Sequence, residues 1–240
     1  MRVLKITAEG LTTSFRYPYY MIGVQPTYDM PPPATIYGHI ASVLGEWFDP
    51  RGVRFAVRFS YQRKHTELET TYLLSAASGA LKGFSKIPKK LEGEANPLKR
   101  EILFFPRLVL YLNRPEWESA FRSPRYVVCL GRSQDLMTYR KVETLDLQPV
   151  QAAYLENTLL PYDFVRFTAA GRSVLMPRWL DTTHNRHPLF ERYLILQRRI
   201  HTRSFILPPD AVLPPIWADP AEPQVQNDPL GLVFHAWTEE

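Results

Sequence analysis

Proline recurs so often along this chain that long helices are excluded from most of it. The sequence contains 22 prolines in 240 residues, which is about 9% against an average near 5%. Proline breaks the interior of a helix, and sheets tolerate it only at edge strands and bulges. We therefore expect short elements joined by many loops, above all in the C-terminal tail, where Pro208-Pro209 and Pro214-Pro215 occur close together.

One segment nevertheless has the spacing of an amphipathic helix. Three consecutive prolines ending at Pro33 fix where this helix can begin, and Thr35 is a candidate cap near its start. The Asp-Pro-Arg-Gly sequence at 49–52 is predicted to end it. The apolar positions fall at i, i+4, i+7, i+8 and i+11, and they are Ile36, Ile40, Val43, Leu44 and Trp47.

Strand patterns flank this helix. Residues 53–61 alternate between large apolar side chains and a second set that includes Arg54 and Arg58, which predicts a strand with one apolar and one partly basic face. Pro106 should restrict its own segment to an edge or a bulge. Further strands are predicted at 3–9, 67–74, 102–112, 125–130 and 139–147, with a short helix at 115–121.

The order of these elements is β-α-β-β-insert-β-α-β-β. It predicts an α+β fold with a ferredoxin-like sheet, the architecture of an RNA recognition motif. We expect this domain to span residues 1–148 and to carry a basic hairpin or arm inserted at about 79–100. Residues 149–240 are predicted to form an irregular, β-rich C-terminal lobe that ends in the proline-rich tail.

Positive charge is concentrated in the predicted insertion. The whole chain has a net charge of +5 and a pI near 9.3, which favours an anionic partner. Cations beside an aromatic ring, Phe84, suit a segment that grips phosphates and stacks on one base. A solvated basic surface without a ligand is the alternative. The cations of the insertion are Lys82, Lys86, Lys89, Lys90, Lys99 and Arg100.

Two further segments are candidate RNA contacts. In the turn Gly131-Arg132-Ser133, the glycine would let a ligand backbone approach closely, and the guanidinium could grip a phosphate or stack on a base. An ordinary turn with an exposed arginine is the alternative. At the predicted helix start, near Thr35 and Tyr37, free N–H groups would point outward toward a phosphate.

The sequence lacks the motifs of the common cofactor-binding and nucleophile-bearing enzymes. It has no phosphate-binding loop, dinucleotide-binding glycine motif, zinc-protease helix or nucleophile elbow, and a lone cysteine, Cys129, excludes an internal disulfide. His184 and His187 lie three residues apart, but Pro188 favours a loop over the helix that such a metal site needs. We expect no metal and no cofactor.

Two other function classes stay open. A metal-independent ribonuclease needs only a base and cations, which His65 beside Lys64 or His201 beside Arg203 could supply, although nothing singles them out. A protein-interaction module with a basic surface for an acidic partner is the other. Because the N-terminus has no signal-peptide pattern and no stretch approaches about 18 apolar residues, we expect a soluble, cytoplasmic protein without membrane contact.

Three features together carry a resemblance to a known family. They are the short first strand, the segment Pro32-Pro33-Ala34-Thr35-Ile36-Tyr37-Gly38 leading into an apolar helix, and the later Leu130-Gly131-Arg132-Ser133-Gln134-Asp135. In these the chain resembles the CRISPR-associated Cas-five family of the repeat-associated mysterious protein (RAMP) superfamily. The resemblance covers roughly the first 150 residues and is closest to the variety found in type I-B systems.

The resemblance implies a non-catalytic subunit of a type I CRISPR surveillance complex, Cascade. Such a subunit has a ferredoxin-like domain with a basic thumb, here about residues 79–100. It binds the repeat-derived 5′ handle of the guide crRNA, caps the filament of backbone subunits and docks the large subunit, so that target DNA is met only through the complex. Relatives in type I-C systems cut the precursor with a tyrosine, a lysine and a histidine. Tyr37 lies in the matching neighbourhood, but no Lys-His pair follows in the matching strand region.

Overall fold

The computed structural model of the chain describes residues 1–20, 23–88 and 91–238. Its N-terminal part alternates strands with two helices and a 3₁₀ turn, Pro115–Trp117. The elements are β1 (Arg2–Gly10), β2 (Thr12–Thr13), β3 (Val24–Gln25), α1 (Pro33–Leu44), β4 (Arg54–Ser60), β5 (Arg63–Ala76), β6 (Ala80–Leu81), β7 (Phe84–Pro88), β8 (Leu91–Phe104), β9 (Arg107–Leu112), α2 (Glu118–Arg122) and β10 (Met137–Asp146).

Four of these strands form the sheet that the element order predicts. They lie side by side in the order β10-β1-β9-β4, and every neighbouring pair is antiparallel. The chain passes from β1 through α1 to β4 and from β9 through α2 to β10, so each connection skips one strand. This split β-α-β arrangement is ferredoxin-like. The predicted α+β fold class is confirmed.

Helix α1 begins and ends earlier than the sequence pattern predicts. Pro32 and not Thr35 occupies the cap position, and no side chain caps the helix. The helix stops at Gly45, whose φ of 85° is left-handed, a conformation that glycine adopts without the steric cost of a Cβ. A Cβ there would also lie 2.5 Å from the Arg125 side chain. Trp47, predicted to lie on the helix, is beyond its end and exposed.

Apolar side chains fill the space between the helices and the sheet. Alternate residues of the central strands, such as Ile6, Val57 and Leu110, point to this side, where they meet Ile36 and Ile40 of α1. Alternation puts the intervening residues on the opposite face. The sheet is therefore buried on its helix side in the way that the strand patterns predict.

The insertion is longer than predicted and is a regular hairpin. Strands β5 and β8 pair over 14 residues each, from Arg63 opposite Phe104 to Ala76 opposite Leu91, a length of about 45 Å. The hairpin thus starts well before residue 79. The predicted strand 102–112 is two strands, β8 and β9, because Pro106 cannot donate a hydrogen bond to a continuous ladder.

The segment 125–130, predicted as a strand, is a loop. The N–H of Arg125 donates to the carbonyl of Val43 at 2.9 Å, so the loop completes the C-terminal end of α1. Only an isolated bridge, Cys129 opposite Leu136, is sheet-like among these residues. Tertiary contact with the helix has overridden the β-branched composition of the segment.

The C-terminal part adds strands to the same sheet. The C-terminal strands are β11 (Gln148–Val150), β12 (Tyr154–Leu155), β13 (Thr158–Pro161), β14 (Arg172–Asp181), β15 (His187–Leu196), β16 (Ile200–His201), β17 (Ile216–Ala218), β18 (Gly231–Leu232) and β19 (His235–Ala236). Thr158 of β13 pairs with Arg58 of β4, and the sheet continues as β4-β13-β15-β14. Strands from both sides of residue 148 therefore share one sheet, and the division into two domains there stays a prediction.

The described helices are all short. None of those within residues 1–20, 23–88 and 91–238 is long and apolar enough to cross a lipid bilayer.

Candidate nucleic-acid interface

The predicted contact at Gly131 lies in a tight turn packed on β2. Gly131 has a φ of 95°, and a Cβ at this position would lie 2.7 Å from both the Ser14 carbonyl oxygen and the Thr13 Oγ1. These two facts explain the glycine without a ligand. Ser133 is exposed at the outer side of the turn.

Arg132 is engaged by two carboxylates of the protein. Its Nε and Nη2 donate to the two oxygens of Asp135 at 2.9 and 2.8 Å, and its Nη1 lies 3.5 Å from Glu69 of β5. The hydrogen bonds to Asp135, together with the negative charges of Asp135 and Glu69, raise the pKa of Arg132. The guanidinium therefore clasps the turn to the hairpin, and much of its charge is neutralised before any phosphate arrives.

The start of α1 is closed to solvent. The N–H groups of Thr35 and Ile36 both donate to the carbonyl of Pro32, at 2.8 and 3.1 Å, and the indole of Trp237 donates to the carbonyl of Pro33 at 2.8 Å. Pro33 itself has no N–H. The prediction of outward-pointing N–H groups is therefore wrong here, because the C-terminal segment covers this helix end.

Tyr37 belongs to the core. Its side chain is 5% exposed, its hydroxyl donates to the Phe48 carbonyl at 2.7 Å, and its ring packs edge-on against Trp179 and Trp237. Burial raises the pKa of this phenol. A direct contact between Tyr37 and RNA, which the sequence predicted, is excluded by this burial.

Two of the predicted thumb lysines belong to the outer end of the hairpin. Lys82 is exposed in the turn between β6 and β7, and Lys86 lies on β7. Lys89 and Lys90 lie outside the described residues. Seven residues of β5 separate Glu69, the contact of Arg132, from the end of the strand, which is about 24 Å. The structure therefore does not bring the turn and the thumb tip into one site.

The shaft of the hairpin is amphipathic rather than uniformly basic. One face carries exposed Leu68, Tyr72 and Leu74 of β5 opposite Lys99, Ala95 and Gly93 of β8. The other face carries Glu67 and Glu69, and Arg100 pairs with Glu69. A two-stranded ribbon with an uncovered apolar face fits burial against another macromolecule.

An ion-pair cluster holds the base of the hairpin to the body of the protein. Asp29 pairs with Lys64 at 2.6 Å and with Arg172 of β14, and it accepts the Tyr61 hydroxyl at 2.9 Å. The carboxylate of Glu101 accepts the N–H of Thr27 at 3.0 Å. The hairpin base is thus fixed to both halves of the sheet, while its outer end projects.

Two adjoining grooves lie beside this base, and we call them together the base groove. The first has a volume of about 350 Å³ and is lined by Gln62, Arg63, His65, Phe104 and Phe105. The second has a volume of about 640 Å³, shares two of those residues and extends over the end of the sheet. The second is lined by Glu9, Gly10, Leu11, Ser60, Tyr61, Gln62, Phe105, Pro106, Arg107, Leu136, Thr138 and Arg140.

Phe105 lines both parts of the base groove. Its side chain is 52% exposed, and its φ of 53° is in the left-handed region, which is uncommon for a residue other than glycine. Arg107 and Arg140, with side chains 60% and 63% exposed, stand beside it and share Glu9 as their carboxylate partner. Sequence reasoning missed this ring. The signal available was an aromatic residue directly before Pro106 at the break between two strands.

The sheet face opposite the helices is not open to RNA at its centre. Lys5, on that face of β1, pairs with Asp219 at 2.6 Å and with Glu222 at 2.7 Å, and the Tyr111 hydroxyl donates to Asp219 at 3.0 Å. Burial opposes the charge of Lys5, but these two carboxylates outweigh it and raise its pKa. Leu147, Tyr154, Leu230 and Leu232 pack over the same face. Base stacking on this surface, as in an RNA recognition motif, is therefore blocked by the C-terminal part.

The histidines considered as ligands or bases lie in separate places. His184 bonds Asp181 at 2.6 Å in the β14–β15 loop, and His201 bonds Asp228 at 2.8 Å in the C-terminal part. His65 lines the base groove. Within the described part of the chain, no three His, Cys, Asp or Glu side chains cluster as metal ligands.

The comparisons with known proteins bear on the fold. One chain of a solved structure titled "CRISPR RNA-guided surveillance complex" has a similar fold. It superposes with a TM-score of 0.51 at 12% identity, over 83% of this chain and 89% of that one. A structure titled "Crystal structure of Cas protein" has a TM-score of 0.42 at 15% identity, over 84% and 96%. A CRISPR protein from Archaeoglobus fulgidus has a TM-score of 0.41 at 12% identity, over 82% and 87%. No protein-family model and no curated protein matches the sequence.

Proposed function

We propose that this chain is a non-catalytic RNA-binding subunit of a type I CRISPR surveillance complex. In that role it holds the 5′ handle of the guide crRNA, caps the filament of backbone subunits and contacts the large subunit. We infer that it is of the type I-B variety, from the motifs that carry the resemblance. Target DNA meets the chain only through the assembled complex.

The observation that carries this proposal is the base groove beside a long projecting hairpin. Arg63, Arg107 and Arg140 offer positive charge to phosphates, and Phe105 offers an exposed ring to a base. Cationic grooves with aromatic faces are how proteins hold single-stranded RNA. The fold likeness to one chain of a surveillance complex supports the same assignment.

The hairpin supports the assembly part of the proposal. Its apolar face, which includes Leu68, Tyr72 and Leu74, is exposed in the isolated chain. A neighbouring protein subunit would bury this face, and the tip lysines would reach past it toward RNA phosphates. A chain with both features can bind RNA and a backbone subunit at the same time.

RNA binding is tested by titrating the full chain with labelled single-stranded repeat RNA at several salt concentrations. For single strands, the slope of log affinity against log salt is about −0.7 for each phosphate that a cation neutralises. Three groove arginines predict a slope of about −2 or steeper. A shallow slope together with weak binding would favour the protein-interaction module instead.

The proposed lack of catalysis needs a separate experiment. His65 is the one histidine in the base groove, and no hydrogen bond to its ring occurs among the described residues. Incubation of the chain with repeat RNA in EDTA should leave the RNA intact. Cutting at a single site that His65→Ala abolishes would replace the scaffold role with a metal-independent ribonuclease.

A further inference from the structure

We infer that Phe105 is a stacking platform for one unstacked base of a single-stranded RNA. The inference rests on the proposed function and names the residue that holds a nucleotide within the base groove. Nothing in the predicted site included Phe105. The argument depends on its backbone, its exposure and its neighbours.

Folding alone does not explain a phenylalanine at this position. A left-handed φ is strained for a residue with a Cβ, whereas glycine adopts it freely and asparagine often does. Residues before proline are restricted further. A ring that is half exposed also gains little by burial. Glycine would make the same turn with less strain, so a phenylalanine here lowers stability.

The backbone around Phe105 holds the ring in a fixed place. The Phe105 N–H donates to the carbonyl of Leu11 at 2.9 Å, and the carbonyl of Pro106 accepts the N–H of Gly10 at 3.1 Å. The residue before it, Phe104, pairs with both Arg63 and Thr12. Hydrogen bonds on both sides thus fix the two-residue connection between the hairpin and the sheet. A ring mounted this way loses little freedom when a base stacks on it.

The surroundings of the ring fit one nucleotide and its phosphates. Arg63 and His65 line the first part of the groove with Phe105, and Arg107 and Arg140 line the second part with it. Gln62 lines both parts and can donate to or accept from a base edge. Cations in both parts of a groove that share one aromatic ring match a backbone that passes through the groove with one base stacked on the ring.

The test uses the full chain and single-stranded RNA of about eight nucleotides, within the usual site size for such proteins. Phe105→Gly removes the ring and relieves the left-handed strain, so loss of folding cannot mimic the result. We expect RNA affinity to fall about 5- to 150-fold, the range for losing one stacked base. The melting temperature should stay the same or rise. Phe105→Trp should retain the affinity.

Tyr126→Ala is the matched control, because Tyr126 is an exposed aromatic residue in the 125–130 loop. It should bind RNA as the unaltered chain does. One outcome is that the RNA affinity of the unaltered chain falls steeply with salt while Phe105→Gly binds RNA equally well. That result would disprove the stacking platform and leave the proposed function standing. If the unaltered chain does not bind RNA at all, the proposed function fails first.

Discussion

At the scale of single residues, Arg132 shows how a plausible ligand contact can be a structural clasp. Its guanidinium bridges Asp135, which is 0% exposed, and Glu69 on the hairpin. The carboxylate of Asp135 also accepts from the Thr12 hydroxyl at 2.9 Å and from the Arg132 N–H at 3.1 Å. The turn, β2 and the hairpin are therefore tied together through one buried carboxylate.

We predict that Arg132→Ala lowers the free energy of unfolding by about 1.5–3 kcal/mol, because a buried carboxylate loses its charged hydrogen bonds. Urea denaturation measures this loss. Arg51→Ala, which removes an exposed pair with Asp49, is the control and should change the midpoint little. An unchanged urea midpoint for Arg132→Ala would contradict the structural role of Arg132. The RNA affinity of the folded variant would then test its predicted role as an RNA contact.

His39 is a buried neutral histidine with both ring nitrogens bonded. Its Nδ1–H donates to the Cys129 carbonyl at 2.9 Å, and its Nε2 accepts the Tyr139 hydroxyl at 2.8 Å. Burial lowers the pKa of His39, although the bond to the Cys129 carbonyl opposes the shift. Burial likewise lowers the pKa of His235. Both groups therefore bind protons more readily in the unfolded chain than in the folded one.

The sign of the resulting pH dependence follows from this difference. Each buried histidine stabilises the fold while it is neutral. This contribution to the unfolding free energy is fully present above the pKa of about 6.5 that histidine has in the unfolded chain. It is lost as the pH falls below that value toward the lower pKa of the folded state. We predict that unfolding free energy declines between about pH 7 and 5, by at most about 1.4 kcal/mol per pH unit for each histidine. His39→Gln should flatten the decline and exposed His187→Gln should not. Equal slopes for both variants would contradict the assignment.

At the scale of elements, the hairpin separates charge from apolar surface. The outer end contributes Lys82 and Lys86, while the shaft offers an apolar face and an acidic one. Within the described residues, the predicted basic thumb therefore has an amphipathic shaft between its outer end and its base. Under the proposed function, the tip would contact RNA phosphates and the shaft would contact a protein partner.

We predict that reversing Lys86, Lys89 and Lys90 to Glu weakens binding of handle RNA and makes its salt dependence shallower, because phosphate contacts are lost. Filter binding at several salt concentrations measures both effects. The charge-matched control reverses three exposed arginines elsewhere on the protein. They are Arg186 in the β14–β15 loop, Arg192 on β15 and Arg198 just after β15. Equal losses for the two triple variants would show a general charge effect and remove the tip from the interface.

The apolar face of the shaft gives a prediction about assembly. Tyr72→Ser with Leu74→Ser should leave the unfolding free energy of the isolated chain nearly unchanged, since both side chains are exposed. It should reduce copurification with the backbone subunit. Thr71→Ser on the opposite face is the control. Full copurification of the Tyr72 and Leu74 double variant would place the subunit contact elsewhere.

At the scale of the whole molecule, a buried ion-pair network fastens the C-terminal part onto the sheet. Lys5 is the only cation that contacts Asp219 within the described residues, and Asp219 also accepts the N–H of Ala221 at 2.8 Å. Removing one partner of a buried pair leaves the other charge uncompensated. Attachment of residues 216–232 therefore depends on β1 at the other end of the chain.

We predict that Lys5→Ala destabilises the protein by about 3–5 kcal/mol, measured by urea denaturation. Lys141→Ala is the control. It removes a surface ion pair with Glu143, two residues along β10, and should change stability little. Limited proteolysis should cut the Lys5 variant first within residues 216–232. A small effect, comparable to that of Lys141→Ala, would mean that apolar packing alone holds the C-terminal part in place.

The sequence by itself determined the local elements and their order. Alternation at 53–61 and helical spacing from Ile36 predicted β4 and α1, because periodicity follows which face is buried. Pro106 predicted a break, and the order of elements predicted the ferredoxin-like sheet. The sequence predicted the ends of α1 and the long hairpin strand β5 only in part. The end of α1 at Gly45 depends on contact with Arg125, and the length of β5 depends on its pairing with β8.

The tertiary structure alone decided which candidate residues meet solvent. Tyr37 and the start of α1 lie under Trp237, two hundred residues later in the chain, and no local pattern encodes that contact. The same holds for the sheet face that Lys5 and Asp219 close. Phe105 became a candidate only when its φ and exposure were known. Local spacing fixes which side chains share a face, but long-range packing fixes which faces stay open.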